Sequence, residues 1–261
     1  MNFYKKYKFD PVEAKNGCVE WIRSWFATNG PNCKAIIGIS GGVDSSVVAA
    51  LCVEALGRDR VHGVLMPNKV QDDLQDAKDL ADFLKITYEI INIGPAYDAL
   101  LSSIEKAPIC TYNGNTRKIQ ITDQTKINLA PRIRMSTLYG VSQSENGRVA
   151  NTCNASEDYI GYSTRYGDSA GDFSPLTFFV KRYVKEMGRL ILPDRFVDKI
   201  PADGLCGKTD EDNFGFPYEI LDDYILTGKC EDKIVKAKID CLHEKNLFKL
   251  KPIPFYNPTV A

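Results

Sequence analysis

Apolar residues recur with two alternating periods along the first part of the chain. Over residues 12–29, Val19, Ile22, Trp25 and Phe26 fall at helical spacing, and Gly30-Pro31 ends the run. The short apolar segment KAIIGI at 34–39 has the length of a strand. Residues 44–56 return to a helical pattern, with Gly57 placed to cap it. The alternation then repeats. VHGVLM at 61–66 predicts a strand, and 73–84 a helix with Leu74, Ala77, Leu80, Ala81 and Leu84 on one stripe. TYEIINI at 87–93 predicts a third strand and 96–106 a third helix. Strands that are apolar throughout, each followed by a helix, predict a parallel sheet covered on both faces. Right-handed crossovers then give a doubly wound α/β fold.

The pattern weakens further on. Residues 108–124 are polar and rich in turn formers, so a loop or irregular insertion is expected. A helix is expected over 130–141, with Pro131 in its first turn; deeper in a helix a proline costs about 3 kcal/mol. RVANTC at 148–153 predicts a fourth strand, followed by the Gly/Asp/Ser-rich run GDSAGDFSP at 167–175 and a helix near 179–192. Residues 201–216 read as a mobile loop, 217–227 and 230–246 as helices, and the proline-containing tail as extended. No linker or repeat divides the chain, so residues 1–261 are expected to form a single domain.

Charge and cysteine usage narrow the function. Lys plus Arg is 33 and Asp plus Glu is 34, a net charge of −1, which argues against a dedicated nucleic-acid or membrane-surface binder. The 44% hydrophobic content supports a packed core. There is no run of 18 apolar residues, and MNFYKKYKFDP has no apolar stretch of the secretory kind. A cytoplasmic protein with no membrane or nucleic-acid partner is expected. The eight cysteines, at 18, 33, 52, 110, 153, 206, 230 and 241, form no CxxC pair and read as reduced thiols. Only His62 and His243 are present, far apart, which disfavours a structural zinc site and a histidine-based triad.

The chemistry concentrates in GISGGVDSS at 38–46, between the first strand and its helix. Gly38, Ile39, Ser40, Gly41, Gly42, Val43, Asp44 and Ser45 form a turn of small residues able to wrap an anion. The unpaired N–H groups of a helix start, with the dipole behind them, favour phosphate. Ser40, Ser45 and Ser46 add hydroxyls, and Asp44 suits a Mg²⁺ ligand better than a phosphate contact. A Walker A loop would need a lysine, and a dinucleotide fingerprint would need glycine at Ser40.

The segment resembles the PP-loop of the ATP pyrophosphatases, which cleave ATP between its α- and β-phosphates. Further segments narrow the resemblance: NLAPRIRMSTLY at 128–139, NTCNASE at 151–157, GYSTRYGD at 161–168, DFSPL at 172–176, Lys181, KTDED at 208–212 and GFPYEILDDYI at 215–225. In this order and spacing they are similar to the bacterial ammonia-dependent NAD synthetases, over roughly residues 12–228. The resemblance implies a PP-loop fold with a five-stranded parallel sheet and helices on both faces. It implies ATP as co-substrate, deamido-NAD and ammonia as substrates, Mg²⁺ and a homodimer. The nicotinate carboxylate attacks the α-phosphate, pyrophosphate leaves, and ammonia displaces AMP.

By the same resemblance, ATP is held by Gly38–Ser45, Thr152, Lys181 and Thr209, and the metal by Asp44 and Glu157. Deamido-NAD is held by Arg132, Tyr162, Arg165 and Asp172, with Arg134 a weaker candidate. Asp44, Lys181, Thr209 and Asp168 carry the chemistry, Asp168 by holding or deprotonating ammonium. The sequence departs from the family at Pro131, at Asn151 where glycine is usual, at Gly204, and in a basic C-terminal segment only loosely echoed by HEK at 243–245 and KLK at 249–251. A chain of 261 residues leaves no room for a glutaminase domain, so nitrogen is expected as free ammonia or from a separate subunit. Cys153 and Cys206 have no activating neighbour and read as incidental thiols. A tRNA-modifying pyrophosphatase is the alternative enzyme, but the charge balance and the lack of CxxC disfavour it. A nucleotide sensor with a dead site is disfavoured by Asp44, Glu157 and Lys181.

Overall fold

The computed structural model describes residues 8–70, 73–199 and 209–256. Asp10 opens the first helix, α1 (Pro11–Asn29), by accepting from the N–H groups of Val12 and Glu13. Then follow β1 (Lys34–Gly38), α2 (Val43–Leu56), β2 (Val61–Leu65), α3 (Leu74–Leu84), β3 (Thr87–Ile90) and α4 (Gly94–Lys106), close to the bounds read from the apolar pattern. Side-chain alternation along β1 shows why helices are needed on both faces. Ala35 and Ile37 join one core with Ile22 and Leu51, whereas Ile36 joins another with Ile93 and Ala130.

The main sheet is parallel with the order β3-β2-β1-β6, where β6 is Gly147–Val149. The chain moves outward from β1 to β3, then returns to add β6 on the other side of β1. The C-terminal ends of β1 and β6 therefore flank the point where strand order reverses, the usual ligand crevice of such sheets. The expected fifth strand is reduced to one parallel bridge between Ala150 and Phe173. The Gly/Asp/Ser-rich run around Phe173 offers little apolar surface to extend it, so the sheet has four strands among the described residues.

Other elements depart further from expectation. Residues 108–124 contain a small antiparallel hairpin, β4 (Pro108–Cys110) and β5 (Thr116–Lys118), mostly exposed and outside the main sheet. α5 (Asp123–Ser144) begins well before residue 130, capped by Thr122, so Pro131 lies in the helix interior rather than in its first turn. Proline there removes the donor for the carbonyl four residues earlier. The 22-residue length and close packing of buried Pro131 against Gly167 compensate.

The second half is helical: α6 (Ala155–Ile160), α7 (Lys181–Gly188), α8 (Asp194–Val197), α9 (Asp210–Phe214), α10 (Tyr218–Thr227) and α11 (Lys233–Asn246), then a 3₁₀ turn at Leu247–Leu250. Ile160, Phe214, Leu221 and Ile239 pack α6, α9, α10 and α11 into a core of their own. Of the loop expected over 201–216, the part through Lys208, with Gly204 and Cys206, lies outside the described residues; the rest carries α9. No described helix is long and apolar enough to cross a membrane.

Candidate active site

The turn from β1 into α2 is built on glycine. Gly41 has φ +81°, and a Cβ there would sit 2.9 Å from the Asp73 carbonyl oxygen, so only glycine lets the turn lie against the start of α3. Gly42 caps α2 without a side-chain acceptor, and Gly42, Val43, Asp44 and Ser45 all line a cavity of about 520 Å³. The first-turn N–H groups of α2 thus have no side-chain partner in the cap, the arrangement that accepts an anion. The serines divide their work. Ser40 and Ser45 bond each other, Oγ to Oγ at 3.1 Å, and line the cavity. Ser46, expected to face the ligand, is fully buried and donates to the Gly42 carbonyl at 2.8 Å, so it braces the turn instead.

Opposite the turn, three charged side chains from three helices meet. Lys181 Nζ lies 2.5 Å from Asp44 Oδ2 and 3.1 Å from Glu157 Oε1, and 4.9 Å above the Tyr218 ring. Lys181 is only 3% exposed, so its charge depends on these partners. Burial opposes its protonation, but Asp44 and Glu157 outweigh burial and hold it protonated. Burial pushes the Glu157 carboxyl up to about 8, with the Lys181 charge opposing that shift. α7 is aimed into the site by α10. Asp222 accepts from the Arg182 N–H at 2.8 Å and from Ser156 Oγ at 2.5 Å, and Ser156 Oγ accepts from the Lys181 N–H at 2.9 Å.

Two carboxylates already converge on one cation here, the lysine ammonium. No group of three His, Cys, Asp or Glu side chains suited to a metal occurs among the described residues. This donor set fits Mg²⁺, which takes one or two carboxylates and completes its shell with phosphate oxygens and water.

The cavity runs from the glycine turn past Thr152, beyond the end of β6, to Arg134, Tyr162 and Asp168. Tyr162 packs edge-on against Phe214, and its hydroxyl accepts from Asn213 Nδ2 at 2.8 Å. Asp168 Oδ1 accepts from the Thr164 N–H at 2.8 Å, and burial raises its carboxyl above the ordinary range. Cys153 also lines the cavity, with its thiol pushed up by burial and far from a reactive thiolate.

Five residues expected at the site do not line this cavity: Gly41, which bends the turn from behind, and Arg132, Arg165, Asp172 and Thr209. Arg132 is exposed and donates from Nε to the Arg165 carbonyl at 3.4 Å; Arg134, two positions on, lines the cavity and donates to the Met66 carbonyl at 3.0 Å. Arg165 lies over the Tyr166 and Phe248 rings, in a separate groove of about 340 Å³ shared with Tyr139 and Lys251. Asp172 accepts from the Val149 N–H at 2.7 Å and from the Tyr139 hydroxyl at 3.2 Å, tying its loop to β6. Thr209 caps α9: its Oγ accepts from the Asp212 N–H, and the Asp212 carboxylate accepts from Thr209 in return.

Sequence reasoning assigned no role to Asn154 or Asn246, and noted Lys249 only as part of a loose basic segment. Asn154 is 0% exposed and donates from Nδ2 to Asp44 Oδ1 at 2.9 Å while capping α6. The pattern of an Asn followed three positions later by Glu157 was the available signal. Lys249 donates to the carbonyls of Gly161 at 2.7 Å and Ser163 at 3.0 Å and lines both the cavity and the groove. Asn246 joins it, donating to the Ile160 carbonyl at 3.0 Å and pressing on Gly161, where a Cβ would meet it at 2.2 Å.

A sequence model of the NAD synthase family matches residues 15–252. The chain belongs to the NAD synthase family. An NH(3)-dependent NAD(+) synthetase of Finegoldia magna is 36% identical over 237 residues, covering 88% of this chain and 92% of that protein. One of Pyrococcus furiosus is 40% identical over 192 residues, covering 73% and 70%. Among solved structures, an NMN synthetase from Francisella tularensis superposes with TM-score 0.84 at 34% identity, covering 96% of this chain and 100% of that one. An NH3-dependent NAD synthetase from Campylobacter jejuni gives 0.75 at 29%, covering 95% and 100%. Membership of the NAD synthases agrees with the PP-loop resemblance and disfavours the tRNA-modifying alternative.

Proposed function

We propose that this NAD synthase family member amidates deamido-NAD to NAD with ammonia and ATP, through an acyl-adenylate, releasing AMP and pyrophosphate. The observation that carries the reading is one continuous cavity with the glycine turn and the Asp44–Lys181–Glu157 cluster at one end and Tyr162 and Asp168 at the other. The turn from Gly38 to Ser45, with Thr152, holds the triphosphate. Asp44 and Glu157 would hold Mg²⁺, which would neutralise charge on the phosphates. Lys181, held protonated between the two carboxylates on the cavity wall, is placed to pair with phosphate oxygens. The nicotinate carboxylate, stacked near Tyr162, attacks the α-phosphorus, and the bond to the β-phosphate oxygen breaks. Ammonia then attacks the acyl carbon and AMP leaves; Asp168 takes the proton that the ammonium nitrogen gives up. Arg134 faces the acceptor end, while Arg132 and Arg165 act from its rim. Thr209 positions α9 beside the nucleotide, and Asp172 supports the acceptor loop from outside the cavity. Much of the acceleration comes from charge neutralisation and alignment of the attacking oxygen.

The chain acts as one catalytic domain and, on this reading, as a homodimer. Light scattering behind gel filtration tests it: a mass near 58 kDa, about twice the 29.2 kDa chain, is expected.

A second reading has one observation in its favour. The Francisella NMN synthetase superposes with a higher TM-score, 0.84, than the Campylobacter NAD synthetase, 0.75. Nicotinate mononucleotide presents the same carboxylate as deamido-NAD. Purified protein supplied with ATP, Mg²⁺, ammonium and each acceptor in turn decides. Equal amounts of NAD and AMP from deamido-NAD are expected, and a higher kcat/KM with the mononucleotide would favour the second reading. ADP and orthophosphate as products would refute both.

A further inference from the structure

Asp44 and Glu157 come from helices more than a hundred residues apart, yet a metal pair must hold one separation. Each carboxylate has two oxygens, and the structure divides them in the same way. Asp44 Oδ2 and Glu157 Oε1 face the Lys181 ammonium. The other two oxygens go to a single residue: Asn154 Nδ2 donates to Asp44 Oδ1 at 2.9 Å, and the Asn154 backbone N–H donates to Glu157 Oε2 at 3.3 Å. The remaining side-chain polar atom, Asn154 Oδ1, accepts from the Ser156 and Glu157 N–H groups at 2.9 and 3.1 Å, fixing the first turn of α6 that carries Glu157.

We propose that Asn154 is the positioning residue of the metal pair, binding the outer oxygen of each carboxylate so that the inner ones present to one ion. The proposal rests on the assignment of Asp44 and Glu157 to Mg²⁺. Helix capping alone does not explain an asparagine, because serine or aspartate caps as well. An amide accepts from the helix with one atom and donates to Asp44 with another; a serine hydroxyl offers a single atom on a shorter arm for both. Groups that orient metal ligands in this manner govern metal affinity as strongly as many ligands do.

The two roles separate by substitution. Asn154→Ser keeps a capping oxygen but loses the amide Nδ2 that reaches Asp44, its hydroxyl being one atom shorter; Asn154→Ala loses both. Mn²⁺ binding is followed by the paramagnetic resonance of the free ion, with α,β-methylene ATP, which cannot be cleaved at the reacting bond. Asn154→Ser is expected to melt within about 3 °C of the wild type, a change under roughly 1 kcal/mol. It is expected to bind Mn²⁺ about tenfold or more weakly. Asn154→Ala is expected to show the same loss of affinity together with a lower melting temperature. Affinity within twofold of the wild type in Asn154→Ser overturns the proposal, because asparagine would then serve only as a cap. Should the serine variant not fold, Asn154→Asp keeps shape and cap but turns an acceptor toward Asp44. More than threefold weaker binding supports the proposal there, and unchanged or tighter binding overturns it. Wild-type protein that binds no Mn²⁺ with the analogue, or Asp44→Ala that binds it normally, overturns the metal assignment and the proposal together.

Discussion

The two ends of the cavity are made differently. At the nucleotide end a buried lysine and two half-buried carboxyl groups satisfy one another: Asp44, Glu157 and Lys181 close together, and Asn154 and Asp222 fix the helices that carry them. At the acceptor end the contacts are made by loops and long side chains. Arg165 rests on aromatic faces, Asp172 braces from behind, and Lys249 reaches in to hold two carbonyls. Phosphate and metal chemistry needs charges set in a water-poor site, where their fields are strong. Choosing an acceptor needs only a wall of the right outline. The first end is therefore expected to fail steeply on substitution, and the second by degrees.

Asp44→Asn tests that contrast most severely. Loss of turnover by about 10²–10³-fold or more is expected, with the fold intact by circular dichroism; a near-normal rate would remove Asp44 from the chemistry. Lys181→Met leaves the two carboxylates without their cation and is expected to cost about 3–5 kcal/mol in metal-free urea unfolding. A loss below 1 kcal/mol would mean the cluster is solvated and the nucleotide end is no more rigid than the other. At the acceptor end, Arg134→Ala is expected to raise the KM for deamido-NAD about tenfold, the worth of one charged hydrogen bond, while the KM for ATP stays constant. Arg132→Ala should change either by less than threefold, and the reverse order would return the contact to Arg132. Thr209→Ala removes a helix cap, so a loss of about 1 kcal/mol is expected in thermal melts.

The smallest effect concerns pH. Burial raises the folded Asp168 carboxyl above its ordinary 3.8. The folded state then keeps a proton that the unfolded state releases, so this residue's contribution to stability falls as pH rises from 3.8 through the raised folded value. Asp168→Asn should remove that part of the slope, seen as a flatter series of unfolding midpoints. An identical slope in the variant would mean Asp168 is solvated.

Much of this was legible in the sequence because it is local. The change of apolar period marked α1 to α4 and β1 to β3 within a few residues, and GISGGVDSS announced its turn because a ligand-wrapping backbone needs small residues in a fixed order. What escaped depended on tertiary context. Pro131 argued for a late start to α5, and the preference for Arg132 over Arg134 rested on the family resemblance, which does not say which of the two this helix turns toward the cavity. The hairpin at 108–118 has strands of three residues, all exposed but half-buried Ile109, too short for any period to register. Thr209 looked like a ligand of a mobile loop, although Asp212 three positions on already spelled a capping box. Asn154 and Lys249 act through groups far along the chain, and no local pattern states such a pairing.

The hold of Asn246 and Lys249 on Ile160, Gly161 and Ser163 spans 86 to 88 positions of sequence. During translation the glycine turn, β6 and α6 leave the ribosome well before the residues that brace the acceptor wall. A nascent polypeptide arrested ahead of residue 246 would thus meet nucleotide before it had a finished seat for the carboxylate to be activated. Cleavage by a protease within that last stretch would blunt acceptor recognition while sparing the older half of the crevice.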